Sequence, residues 1–197
     1  MATTYAKPTK MPTRRTIIDA ASNHIYHQGY GATSYAKVAE DANLVKGNVQ
    51  YHFKSKEALL KAVIDQQVQD IRRQLEEWSL DCGTAYDCIE RFIAMVENNA
   101  DNLSQYGCPI GTLNSELGKN NRDQQDHAKV MFDLYLRWIE ARFRSFLPRE
   151  QAKSKAEQLM AMAQGTSILT HAYRDAGIVH RQAEMMRHWL SEVCAQS

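Results

Sequence analysis

The chain has 197 residues, 44% of them hydrophobic and 24% charged, which is the balance of an ordinary globular protein with material for one large domain or two small ones. A chain dominated by disorder is excluded, and no stretch approaches the roughly 18 consecutive apolar residues that a membrane helix needs. The opening MATTYAKPTKMPTRR lacks the apolar centre of a signal peptide, so the expected compartment is the cytoplasm, with no membrane partner.

The near-neutral net charge hides an asymmetry. Up to Lys56 there are eight lysines and arginines against three acidic residues, and the remainder has sixteen against twenty. A basic head on an acidic body suggests that the head meets a polyanion. Four cysteines, Cys82, Cys88, Cys108 and Cys194, are widely spaced with no CxxC pair. They are expected to be free thiols, with neither a disulfide framework nor a zinc cluster.

Apolar residues recur at helical spacing almost throughout, and no alternating run is long enough for a strand. The expected fold is all-α with about nine helices, placed at 13–28, 34–41, 45–52, 55–79, 84–105, 111–118, 121–147, 150–175 and 180–194. Gly29 and Gly31 interrupt the chain after the first helix, and Thr33 or Ser34 can cap the second by accepting an orphan backbone N–H. Ser55 can do the same for the fourth. Gly107, Pro109 and Gly111 interrupt a helical pattern, Pro148 is expected to end the long helix before it, and Gly177 to close the next.

In the second helix Tyr35, Val38 and Ala42 share one apolar stripe. A tight turn follows at Ala42–Asn43–Leu44, where Asn43 tolerates a left-handed backbone and can hinge two helices at a steep angle. In the short third helix Val49 and Phe53 lie one turn apart and should point toward Ile17, Ala21 and Ile25 of the first. Lys46, Asn48, Gln50, Tyr51 and His52 are thereby forced outward. This is a helix-turn-helix: Asn48 or Gln50 can form paired hydrogen bonds to a base edge, and Lys46, Tyr51 and His52 suit phosphates. Lys56, in the first turn of the next helix, opposes the macrodipole, which makes sense if that end also meets phosphate.

The stretch TSYAKVAEDANLVKGNVQYHFKSKEALLKAV resembles the helix-turn-helix signature of the TetR family of transcriptional regulators. The resemblance implies a DNA-binding domain over residues 1–56, with a short flexible N-terminal arm, and a helical effector-binding and dimerisation domain over 57–197. It implies a homodimer that binds double-stranded DNA at a palindromic operator, acts as a repressor, and is released by a small-molecule effector. By position, Thr33, Lys46, Tyr51, His52 and Lys56 match the family's phosphate-contacting places, and Gly47, Asn48 and Gln50 its base-facing ones. Three residues depart from the pattern: Asn43 stands for the usual glycine of the turn, Val45 for the usual capping serine, and Gln50 for the usual aromatic. Val45 removes an N-cap and a phosphate contact, and Gln50 suggests a different base preference.

Beyond residue 57 the chain reads as long amphipathic helices. The resemblance points to a dimer interface in about 150–194, where Leu159, Met162, Gly165 and Leu169 lie along one helix and Met185, Met186, Trp189 and Leu190 along the next. It also points to an effector pocket among the preceding helices, for which Phe92, Met95, Tyr106, Cys108, Asn114, Met131, Tyr135, Trp138, His171 and Tyr173 are the candidates. They offer an apolar wall with a few polar handles, although ordinary core packing is an alternative for each. The segment GCPIGTLNSELG resembles one found in a TetR branch that includes regulators responding to reactive electrophiles and oxidants. Cys108 beside a helix N-terminus, which favours thiolate, would then be a sensor; a small buried residue is the alternative.

Enzyme motifs are absent: there is no HExxH, GxSxG or phosphate loop, so no catalytic residues, cofactor or metal ligands are expected. His24 and His27 of HIYH are spaced as metal ligands can be, but helix one is needed to support the reading helix. The remaining alternatives are a DNA-binding architectural or division-linked protein without an effector, and a helical metalloenzyme.

Overall fold

A computed structural model describes residues 13–195 of the chain, except the side chain of Asn120. The N-terminal arm expected before the first helix lies outside them. The described residues form ten helices and no strand: α1 (Thr13–Gln28), α2 (Tyr35–Asp41), α3 (Lys46–His52), α4 (Lys56–Asp81), α5 (Ala85–Asn98), α6 (Ala100–Tyr106), α7 (Pro109–Asn120), α8 (Arg122–Phe143), α9 (Arg149–Tyr173) and α10 (Gly177–Ala195). Two compact units result, one ending at Gln66 and the other beginning at Gln67, with α4 running through the division.

The first unit is built as the apolar spacing dictates. Ile17, Ala21 and Ile25 of α1, Val38 and Ala39 of α2, Val49 of α3 and Phe53 are all buried. Ser34 caps α2 by accepting the N–H of Lys37 at 3.4 Å. Asn43 takes the left-handed turn at φ 53°. Tyr35 donates its hydroxyl to the carbonyl of Phe53 at 2.9 Å, tying α2 to the end of α3. His24 Nδ1 lies 2.9 Å from an Asp41 carboxylate oxygen, joining α1 to α2. Ser55 accepts the N–H of Ala58 at the start of α4.

The second unit departs from the expected elements in four places. The helix expected over 84–105 is two, because Asn99 leaves helical geometry (φ −99°, ψ 14°) while its Nδ2 donates to the carbonyl of Met95. Pro148 does not end α8, which stops at Phe143; it stands instead as the residue before α9, where its missing N–H costs nothing. Gly177 does not close α9 but opens α10, and the left-handed residue after α9 is Arg174, at φ 52°. Cys82 and Cys88 are not free thiols: they are joined, with Cα atoms 5.3 Å apart. Thr84 caps α5 through a reciprocal capping box with Asp87, in the short turn between the two cysteines.

In this unit α8 packs on α7 and α9, and α10 on α5 and α9. Ile89, Ile93, Leu117, Met131, Ile139 and Leu159 are among its fully buried side chains. Arg187 of α10 bridges Glu90 at 2.8 Å and Glu97, both on α5.

Candidate nucleic-acid interface and ligand cavity

The outer face of α3 is decided by its inner one. Val49 is 0% exposed and Phe53 3%, so the helix can rotate in only one sense. Lys46, Gly47 and Gln50 are exposed, Tyr51 is 75% exposed, and Asn48 and His52 are half-buried. A Cβ placed on Gly47 would meet nothing within 4 Å, so the protein itself does not require a glycine there. Val45 precedes α3 with no side-chain cap and is 70% exposed, leaving the first N–H groups of the helix without a side-chain acceptor.

Two of the expected phosphate residues are placed otherwise than the outward ones. Thr33 is buried, its hydroxyl donating to the carbonyl of Gly29 at 2.8 Å. Lys56 donates to the carbonyl of Gly31 at 3.2 Å and sits 4.2 Å from the centroid of the Tyr30 ring. Lys54 was not singled out in the sequence; it is exposed at the end of α3, with its ammonium 5.6 Å from the Tyr51 ring centroid. Its position between Phe53 and Ser55 belongs to no helix, so helical spacing could not assign it a face.

The second unit holds a cavity of about 500 Å³ whose lining includes Cys108, Asn114, Gln164, Ser167 and His171. Gly107 precedes Cys108 at φ 74°, a backbone that favours glycine, and a Cβ there would lie 3.0 Å from Thr112. Cys108 is the residue that caps α7. Its sulfur accepts the N–H of Gly111 at 3.4 Å and Nε2–H of Gln164 at 3.5 Å. A Cβ on Gly111 would come 2.5 Å from the Gln164 amide oxygen, so the small residue is what lets that side chain reach the thiol. Ser167 is 3% exposed and lines the same cavity.

Of the ten expected pocket residues, the structure brings Cys108, Asn114 and His171 together around this cavity. Phe92 and Met131 are core residues. Tyr135 donates to Gln74 and lies 3.7 Å from the Met95 sulfur, and burial, with a smaller contribution from charge at Cys108, pushes its phenol up to about 12. Trp138 donates to Ser79 and lines a separate open groove between α4 and α8. Tyr106 is half-buried, and Tyr173 is 73% exposed. Gln164 and Ser167 escaped the sequence reading because a polar residue inside a long amphipathic helix looks like ordinary surface.

Along the last two helices the expected stripe divides. Leu159, Met186 and Leu190 are buried within the chain, whereas Ile168, Leu169 and Met185 are 68%, 48% and 62% exposed. A Cβ on Gly165 would touch nothing within 4 Å. Among the described residues no three His, Cys, Asp or Glu side chains group to hold a metal ion.

A buried-face short helix after a left-handed turn, with cationic and amide groups outward, defines a helix-turn-helix DNA-binding protein. The profile of bacterial regulatory proteins of the tetR family matches residues 17–63, and that of the LmrA/YxaF-like transcriptional regulator C-terminal domain matches residues 85–185, more than half of the chain. An HTH-type transcriptional regulator in the lacX 3' region of Lactococcus lactis subsp. lactis is 25% identical over 89% of this chain and 91% of its own. The regulator BetI of Cronobacter sakazakii is 28% identical over 77% of this chain and 76% of its own. The crystal structure of a TetR regulator from Legionella pneumophila superposes with a TM-score of 0.82 at 25% identity, covering 93% of this chain and 98% of that one. The chain belongs to the TetR family of DNA-binding transcriptional regulators.

Proposed function

We propose that the protein is a cytoplasmic repressor that binds a palindromic operator as a homodimer and is released when a small molecule enters the cavity of its second unit. The observation that carries the DNA half of this reading is the orientation of α3: burial of Val49 leaves Lys46, Gly47 and Gln50 on the outer face. Lys46, Tyr51 and His52 supply phosphate contacts, and Gln50 with Asn48 read base edges. Thr33 and Lys56 serve as well by holding the backbone around Gly29 and Gly31, which positions the start of α2.

The dimer uses α9 and α10. Ile168, Leu169 and Met185 are large apolar side chains that a monomer would leave in water, and the unused space at Gly165 lets a second helix come close. Ile168 also lines the cavity, so the partner would cover part of its mouth.

The cavity volume of about 500 Å³ suits a drug-sized effector and favours an effector-controlled regulator over an architectural protein. Within it Cys108 is a free thiol whose sulfur faces two N–H donors, those of Gly111 and Gln164. An effector with an electron-poor double bond, such as a quinone or an enal, would be captured there: sulfur bonds to the β-carbon as the C=C π bond opens, and the thiol proton ends on the α-carbon of an enal or on the oxygen of the hydroquinone that a quinone becomes.

Selection of the purified protein against random duplex DNA tests the operator and dimer part of this reading. A two-fold symmetric consensus, bound by one dimer or a pair of dimers, is expected; enrichment of no sequence would reject it.

A further inference from the structure

We propose that Cys82 and Cys88 form a reversible redox latch, a dithiol when reduced and an intrachain disulfide when oxidised, that sets how firmly the C-terminal end of α4 is held to α5. This goes beyond effector release and does not depend on it. The Cα atoms stand 5.3 Å apart across six positions of sequence, inside the range of about 4.4–6.8 Å that a disulfide spans. The reversibility rests on the cytoplasmic location proposed above, where disulfides are mostly transient and redox-sensing rather than structural.

The surroundings let the pair open and close without refolding. The turn between them is shaped independently by the Thr84–Asp87 capping box and by Arg91 of α5 reaching Asp81, the last residue of α4. Reduced thiols therefore stay adjacent. The elements that the latch joins are anchored separately: α5 to α10 through Arg187 and through Tyr86 with Ser191, and the last turns of α4 to α8 through Ser79, which accepts from Trp138 and Arg142. Closing the latch adds a covalent bond between two independently fixed helices.

Exposure differs between the two residues and orders the chemistry. Cys82 is half-exposed just beyond α4, whereas Cys88 is 3% exposed on α5. A hydroperoxide meets Cys82 first: the thiolate takes the distal oxygen, the O–O bond breaks, and an alcohol or water leaves with the second oxygen. The resulting sulfenic acid is attacked by the Cys88 sulfur, the S–O bond breaks, and water leaves. Two thiols and one peroxide thus give one disulfide and two oxygen-bearing products. A dithiol reductant reverses the process by exchange.

The test uses the full chain, reduced with dithiothreitol, desalted and treated with hydrogen peroxide. Peptide mapping should find residue 82 linked to residue 88 within one chain, and dithiothreitol should restore both thiols. Backbone amide exchange through Ser79–Gly83 should be at least about tenfold slower in the oxidised protein. Cys88→Ser should stop at a sulfenic acid on Cys82 that dimedone traps, and Cys108→Ser should form the latch as wild type does, separating it from chemistry in the cavity. Failure to form the link, a link through Cys108 or Cys194 instead, or equal exchange in the two states would overturn the proposal.

Discussion

The ammonium of Lys56 lies 4.2 Å from the centroid of the Tyr30 ring and donates to the carbonyl of Gly31 at 3.2 Å. A lysine at the first turn of α4 opposes the helix dipole, and these two contacts offset that cost within the protein. Lys56→Met should therefore lower stability as well as operator affinity, by about 0.5–1 kcal/mol in stability from the lost cation–π contact. Thermal unfolding with and without operator DNA separates the two effects. A variant as stable as wild type would leave Lys56 a DNA contact alone.

Arg174 ends α9 in a left-handed conformation that a residue with a Cβ adopts at a cost. Arg174→Gly should raise stability by about 1 kcal/mol. Thermal unfolding reads the gain directly, and an unchanged or lower midpoint would mean that the arginine side chain stabilises more than its backbone costs.

The clamp between α5 and α10 predicts an acid-sensitive edge. The hydrogen bond from Arg187 first, and one from His180 after it, hold Glu97 below the usual carboxylate range, against the opposing effect of burial. A carboxylate whose folded value is depressed contributes stability that is complete above its unfolded value, near 4.5, and lost as pH falls through the folded one. Arg187→Gln should consequently be least stable relative to wild type above that pH, with the gap closing in acid. Unfolding midpoints for both proteins from neutral to acid pH would show it, and a gap that widened in acid would contradict it.

Cys108→Ser keeps the size of the side chain and removes the nucleophile. It should abolish DNA release by a quinone or an enal while leaving operator affinity unchanged. Release of the variant at the wild-type concentration of electrophile would eliminate capture at that sulfur. Gly111→Ala provides a milder perturbation: a Cβ there displaces the Gln164 amide, so alkylation of Cys108, followed by mass spectrometry, should slow.

What the sequence discloses is what short-range rules decide. Ser34, Asn43, Val49 and Phe53 carry capping, turn and periodicity signals within a few residues of one another, and the structure uses each as its spacing implies. Val45 likewise leaves α3 without a side-chain cap. Longer-range outcomes were not legible. Asn99 leaves helical geometry with no proline or glycine beside it to signal a break, and Cys82 meets Cys88 across a turn that helical spacing does not describe. Pro148 and Gly177 signal interruption without saying on which side the helix lies. The cavity was the hardest to read, because Gln164 reaches Cys108 across 56 positions of sequence, and no periodicity records which face of α9 meets α7.

Whether the outer face of α3 reads DNA is decided by titrating wild type, Lys46→Ala and Gln50→Ala against the selected operator and an unrelated duplex over a range of salt. Lys46→Ala should weaken both complexes by a similar factor and reduce the salt slope by about 1. Gln50→Ala should lose discrimination between the two duplexes by about 1–3 kcal/mol while keeping nonspecific affinity. Wild-type binding and wild-type discrimination in both variants would contradict the assignment of α3 as the recognition helix.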